Sequence, residues 1–401
     1  MTEYDAIVVG ARVAGSPTAM LLARKGYRVL LVDRATFPSD TMSTHLIHAP
    51  GMAALRRWGL ADRVIASGCP PVPRYRLDFG PFALAGEPRG LPGAPVAHAP
   101  RRTMLDQILV EAAAQAGAEV RERFSVESLV VEDGVVRGIR HVQNGRSIEE
   151  RARIVIGADG VNSIVARGVA AARYNEVPAI QAMYFSYWSD MPTDGEFQTY
   201  VRENRALVTV PTNDGLSVVL VAWPMAEFEA NKHDLDATYL KSFEVDPAFA
   251  ERISRATRES RLIGTHMDNF YRQSHGAGWA LVGDAGYHKD AGTAQGISDA
   301  FRDSEALADA LDDVFSGRRP YDDALSSYQQ TRDELTGPMF EMTCQFASPE
   351  PPPPEEQELF AVLSGNQEAT DDFMSVLAGT MPVQDFYDPA NLERYMAGAG
   401  A

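Results

Sequence analysis

Cysteine is nearly absent from this 401-residue chain, and the two that occur, Cys69 and Cys344, form no disulfide framework and no metal-ligand spacing. Idle thiols in a reducing cytoplasm are the expectation. His45 and His48 lie three apart, but no nearby Cys or carboxylate completes a zinc pattern, so no metal site is expected. Apolar runs stay well short of the roughly 20 residues that cross a bilayer. Positive charge is scarce: 37 Lys and Arg against 55 Asp and Glu leave a formal charge of −18. Nucleic acid and anionic membrane surfaces are poor partners for such a chain, because both need concentrated basic residues. There is no internal repeat of 20 to 50 residues, and no signal or transit segment is read ahead of the first strand, which again suits the cytoplasm. What remains is a chain with 45% apolar residues, long enough for one large or two interlocked domains.

Three separated segments carry the chemistry. The apolar run 6–9 reads as a buried parallel strand, passes through Gly10-Ala11-Arg12-Val13-Ala14-Gly15, and enters a helical pattern over 16–25. A second strand over 29–32 ends on Asp33, followed by Arg34. This is the β-α-β-acid arrangement of a dinucleotide fingerprint. Gly10 permits the tight turn, Gly15 lets helix and strand pack closely, amides at the helix start face a pyrophosphate, and Asp33 accepts from a ribose. The middle glycine of the fingerprint is replaced by Arg12. Its guanidinium either wraps round to meet the pyrophosphate or points into solvent in a wider turn. The second segment, Gly157-Ala158-Asp159-Gly160, lies at the carboxyl end of a buried strand over 153–156, where open α/β sheets bind ligands. The third is Gly283-Asp284, at the end of a short strand over 278–282, followed by Gln295-Gly296-Ile297 at the start of a helix over 296–311. Together the three identify a flavin.

Between them the pattern changes repeatedly. A helix is expected over 51–63. Residues 69–100 are rich in Pro and Gly and suit short edge strands and turns. Helical spacing returns over 102–116, and a hairpin turns at Asp133-Gly134. Segments 183–188, 197–201 and 217–223 read as strands of a separate antiparallel sheet crowded with aromatics, and 236–261 reads as helix. Helix continues after Arg332 to about Phe346, the run 349–354 forms a stiff spacer, and short amphipathic helices over 355–363, 369–379 and 390–396 are expected to pack on the body or help it dimerise. The fold expected is α/β with an α+β second layer. A Rossmann-like FAD-binding domain (1–68, 101–178 and 262–345) interlocks with an antiparallel-sheet substrate domain (69–100 and 179–261), and 346–401 forms a helical C-terminal region.

With the motifs in this order, residues 4 to about 345 resemble the group A flavoprotein monooxygenases, the family of para-hydroxybenzoate hydroxylase, whose wider relatives include geranylgeranyl reductases and flavin-dependent halogenases. The resemblance implies FAD, with Asp33 on the adenosine ribose and Asp284 on the ribityl hydroxyls or the adjoining ribose. It places Asp159-Gly160 near the cofactor and a transient NAD(P)H donor, and Arg102 against the flavin. Amides of Gln295-Gly296-Ile297 would stabilise negative charge at the N1–C2 carbonyl of the ring. The chain departs from the family where Asp-Pro and two glycines are usual and Asp290-Ala291-Gly292-Thr293-Ala294 stands instead.

The activity implied is monooxygenation, hydroxylating or epoxidising a medium-sized aromatic or polycyclic metabolite with molecular oxygen through a C4a-hydroperoxyflavin that must be shielded from water. A halogenase or a geranylgeranyl-reductase-like enzyme would use the same cofactor domain. The halogenase segment Trp-x-Trp-x-Ile-Pro and a convincing partner lysine are both missing. A non-catalytic flavin-binding protein is the reading from another class. Tyr184, Tyr187, Trp188, Tyr200 and Trp223 are the expected substrate wall, with His45 and His48 near the flavin or the substrate. The sequence assigns no catalytic base and leaves monomer and homodimer open.

Overall fold

Alternating burial along the first strand, Glu3–Val9, decides the architecture. Ala6 and Val8 point to one face and Ile7 and Val9 to the other, and all are buried, as a parallel strand covered on both sides requires. The computed structural model describes residues 3–143, 146–348 and 354–398. Glu3–Val9 lies between two parallel neighbours, Val29–Val32 and Arg146–Gly157, and the register Val9 to Gly157 sets the fingerprint turn beside the 157–160 loop. Glu119–Arg121 extends the sheet on one side, and Trp279–Leu281 and His275–Gly276 on the other. Helices Gly15–Arg24, Arg102–Gln115 and Gly296–Phe315 cover one face. The hairpin of Val126–Glu132 and Val135–Gln143, turning at Asp133 and Gly134 with positive φ, helps cover the other.

Strand Arg74–Asp78, from the proline-rich stretch, joins a second sheet by pairing parallel with Glu196–Arg202. That sheet continues through Arg205–Pro211, Ser217–Pro224 and Gln181–Ser189, with Ala83–Gly86 at one edge. One face packs on helices Met225–Asn231, Leu235–Lys241 and Pro247–Ile253. Over the other face lie the C-terminal helices Pro354–Leu363, Gln367–Leu377, Val383–Phe386 and Pro389–Gly398, centred on Phe360, Phe373, Phe386 and Tyr395.

Two expectations need correction, and one sheet is new. The helix read over 51–63 is two helices, Ala49–Trp58 and Ala61–Ala66, because Gly59 ends the first in the left-handed conformation. The helix read over 236–261 is broken by Pro247, which opens a new helix capped by Asp246 on the Phe249 amide at 2.8 Å, and residues 257–258 pair as a strand. A small sheet of Arg173–Val177, Asn269–Arg272 and Tyr287–His288 went unread. Of the proline-rich spacer, residues 349–353 lie outside the described residues.

The tightest point of the cofactor half is Gly15, where an added Cβ would overlap the Gly10 carbonyl oxygen. Gly15→Ala should therefore lower folding stability by about 3 kcal/mol or more, measured by denaturant unfolding of the apoprotein. A change within 0.5 kcal/mol would show that the turn can relax.

Candidate functional site

The three motif loops line one cleft of about 770 Å³. At its inner end the fingerprint turn is held by Gly10, φ 103°, whose amide donates to the Val32 carbonyl at 2.8 Å. Asp33 accepts the Ala11 and Ala35 amides at 2.8 Å, one on each carboxylate oxygen, so the carboxylate is locked in place with lone pairs to spare for a ligand hydroxyl. Arg34 beside it is exposed and lines the cleft.

Arg12 adopts neither arrangement left open by the sequence. Its guanidinium donates to Asp106 at 2.6 Å and to the Ser39 hydroxyl at 3.0 Å, over the ring of Phe37. Arg102 grips the same fully buried carboxylate through Nε at 3.0 Å and Nη2 at 3.1 Å. Two guanidinium groups on one carboxylate leave a surplus positive charge in the cleft wall, which suits a diphosphate.

From the middle of the chain, Asp159 accepts the Ile164 amide at 2.6 Å on Oδ2, while its buried Oδ1 has no partner. Burial pushes this carboxyl above the usual range. Asp284 is exposed in the cleft and makes no hydrogen bond to the described residues. Gly296 and Ile297 line the cleft at the start of the 20-residue helix Gly296–Phe315, whose unpaired amides face it. Ala294, where the resemblance expects glycine, is left-handed at φ 55°, a conformation costing an L-residue roughly 1–2 kcal/mol. Ala14 lines the cleft, whereas Gly15 and Gly283 serve packing beneath it. Gln295 turns away, donating to the Leu377 carbonyl of the C-terminal helices at 2.5 Å.

A second cavity of about 900 Å³ lies between the antiparallel sheet and the C-terminal helices. Thr44, Gln181, Met183 and Ala291 line both cavities, so the two spaces meet along that seam. Sequence reasoning missed this seam and the chamber's apolar lining of Phe79, Phe82, Phe197 and Phe346. The expected aromatic wall is corrected by strand parity. Tyr184, Trp188, Tyr200 and Trp223 pack into the core on the opposite face, with Phe228, Tyr239, Phe243 and Phe249, and of the four only Trp223 also borders the chamber, between Ala222 and Pro224. Met183, Phe185 and Tyr187 alternate with them on the chamber side of the sheet, but only Met183 lines the cavity, so Tyr187 is not part of the wall either.

Neither histidine is free to act as a base. His45 sits at φ 66°, with Nδ1–H donating to the Ser43 carbonyl at 2.9 Å and Nε2 accepting from Tyr187 at 2.7 Å. It lines neither cavity. His48 borders the chamber, donating from Nε2 to the Thr293 carbonyl at 3.1 Å and accepting from Tyr75 at 2.7 Å. Burial drives His45 down to about 3 and His48 to about 4, so both are neutral. Among the described residues no group of His, Cys, Asp or Glu could hold a metal ion, and no helix is long and apolar enough to cross a membrane.

The cleft fits a flavin dinucleotide on its own terms: a locked acid for a ribose, a positive wall for a diphosphate, a free carboxylate, and a helix start. These features define a flavoprotein with a Rossmann-type cofactor cleft. The chain belongs to the FAD binding domain family, whose model matches residues 3–342. It is 35% identical over 172 residues to the digeranylgeranylglycerophospholipid reductase of Methanosarcina mazei, a match spanning 41% of this chain and only 40% of that protein's length. With the reductase of the same name from Methanocella arvoryzae it shares 26% identity over 343 residues, 84% of each chain. Among solved structures, the flavin-dependent brominase Bmp2 superposes with a TM-score of 0.83 at 18% identity, covering 99% of this chain and 98% of that one. PqsL, a probable FAD-dependent monooxygenase from Pseudomonas aeruginosa, superposes with a TM-score of 0.72 at 21% identity, covering 94% and 99%. At such identities the likeness is one of fold.

Two measurements check this site. Asp284→Ala should purify without FAD, and a stoichiometric flavin spectrum from that variant would remove Asp284 from the site. The two buried histidines contribute to acid stability. Unfolding returns each to its ordinary value near 6.5, so below that pH the unfolded chain binds more protons and the fold weakens as pH falls toward 4. Each contributes a slope of about 1.4 kcal/mol per pH unit in that window. Unfolding titrations of a His45→Gln, His48→Gln double variant should show a shallower slope than the native chain, and an equal slope would mean the two imidazoles titrate normally.

Proposed function

We propose that this protein is an NAD(P)H-using FAD monooxygenase that hydroxylates or epoxidises a medium-sized apolar metabolite bound in the 900 Å³ chamber. The observation that carries the reading is the seam: an apolar chamber of ligand size adjoins the cofactor cleft at Thr44, Gln181, Met183 and Ala291. Bound FAD supplies acceptance of hydride from a transient nicotinamide and activation of molecular oxygen.

The protein's own groups do the rest. Helix-start amides at Gly296 and Ile297 hold developing negative charge on the flavin. Met183 and the phenylalanines keep water from the reacting carbon. His48, neutral and saturated with hydrogen bonds, fixes the Thr293 carbonyl and with it the 290–294 loop at the seam. His48 is thus a positioning residue. Among the described residues no lysine lines the chamber, and Lys289 of the adjoining cleft is buried and engaged by Asp299 and Tyr287, which favours oxygen transfer over halogenation. Similarity to the archaeal reductases keeps double-bond reduction as the second reading.

Candidate metabolites supplied with NAD(P)H and labelled oxygen should accelerate nicotinamide oxidation and yield product carrying one labelled atom. Anaerobic turnover to a reduced product would establish the reductase instead, and a halide-dependent product the halogenase.

A further inference from the structure

The sheet wall of the chamber presents no charged side chain to its interior. Leu77, Met183, Phe197 and Leu220 point inward from four strands, and Phe360 and Met374 meet them from the C-terminal helices. Three arginines border the same cavity, yet each is turned to the opposite face and neutralised there. Arg76 donates to Asp78 at 2.8 Å, Arg202 to Asp78 at 2.9 Å and to Asp246, and Arg205 to Glu227 at 2.7 Å. Arg202 also lies over Tyr200, which belongs to that outer core. Glu203 is exposed on a turn, and Glu356 stands half-buried beside Tyr387. An anion entering this space would lose its water, find no unpaired positive charge, and meet Glu356.

The part of the wall that meets the sheet lies beyond the family match, which ends at residue 342. It is firmly attached. Gly86, on the edge strand, packs so closely on Asp371 and Thr370 that a side chain there would collide, and the Glu87 amide donates to Asp371 at 2.9 Å. Gln295, at the start of the helix facing the cofactor cleft, holds the Leu377 carbonyl.

We propose that residues 354–398 form a fixed cap that makes the chamber selective for uncharged apolar molecules over anions, with Phe360, Met374 and Leu377 as its specificity-determining side chains. The proposal rests on reading this chamber as the substrate site and names its substrate class. It is tested by binding alone, so that its outcome is independent of oxygen transfer.

The probes are N-phenyl-1-naphthylamine, which is neutral, and 1-anilinonaphthalene-8-sulfonate, the same ring system bearing a negative charge, measured by equilibrium dialysis against the FAD-loaded enzyme. The neutral probe should bind at least tenfold more tightly. Met374→Trp, which fills the space, and Phe360→Ala, which removes an aromatic contact, should each weaken the neutral probe at least tenfold in samples retaining stoichiometric FAD. Using both variants protects the test against one that fails to fold. Equal affinity for the two probes, or unchanged binding in FAD-loaded variants, overturns the proposal. Labelled-oxygen incorporation by an enzyme that binds both probes equally would keep the monooxygenase reading and discard this one.

Discussion

Three loops from distant parts of the chain can hold one cofactor only if their backbones touch, and they touch where side chains are missing. At Gly10 a Cβ would overlap the Ala158 carbonyl oxygen, and at Gly283 it would stand 2.7 Å from the Ala14 Cβ. The first contact joins the fingerprint turn to the 157–160 loop, and the second joins the same turn region to the strand end that carries Asp284. Everything else about the cleft follows from this closeness: the parallel register of Glu3–Val9 with Arg146–Gly157, the helix Gly296–Phe315 packed against Gly15–Arg24, and the carboxylates turned toward a shared space.

The departures from the family pattern have physical counterparts. Arg12 is accommodated because Asp106, on the helix Arg102–Gln115, offers it a buried carboxylate already engaged by Arg102. The arginine that replaces a glycine thus ties the fingerprint loop to the helix behind it. Ala294 keeps the left-handed geometry at a cost in backbone strain, offset by a loop pinned from both sides. His48 takes the Thr293 carbonyl, and the Thr293 hydroxyl pairs with Thr343 at 2.8 Å.

Much of the cofactor half was legible because its signals are local. A strand, a glycine turn and an acid at fixed spacing describe backbone geometry directly, and Asp33, Asp159, Asp284 and Gly296 all come to one cleft. The substrate half was not legible at residue level. Alternation shows that Tyr184 and Met183 face opposite ways but not which face is wet, since that depends on helices elsewhere in the chain. The aromatics drew attention to the face that builds the structural core, while the chamber is walled by phenylalanines from the proline-rich stretch and the C-terminal helices. Gln295 illustrates the same limit: the motif speaks only for its backbone amide, and its side chain reaches a carbonyl 82 residues away.

The scattered origin of the cleft also has a meaning for biosynthesis. Asp33, the acid of the fingerprint, leaves the ribosome early, but Asp284 and the amides of Gly296–Phe315 follow only some 250 residues later. A growing chain therefore presents an unfinished pocket until its third loop has emerged, and flavin capture has to wait for that loop.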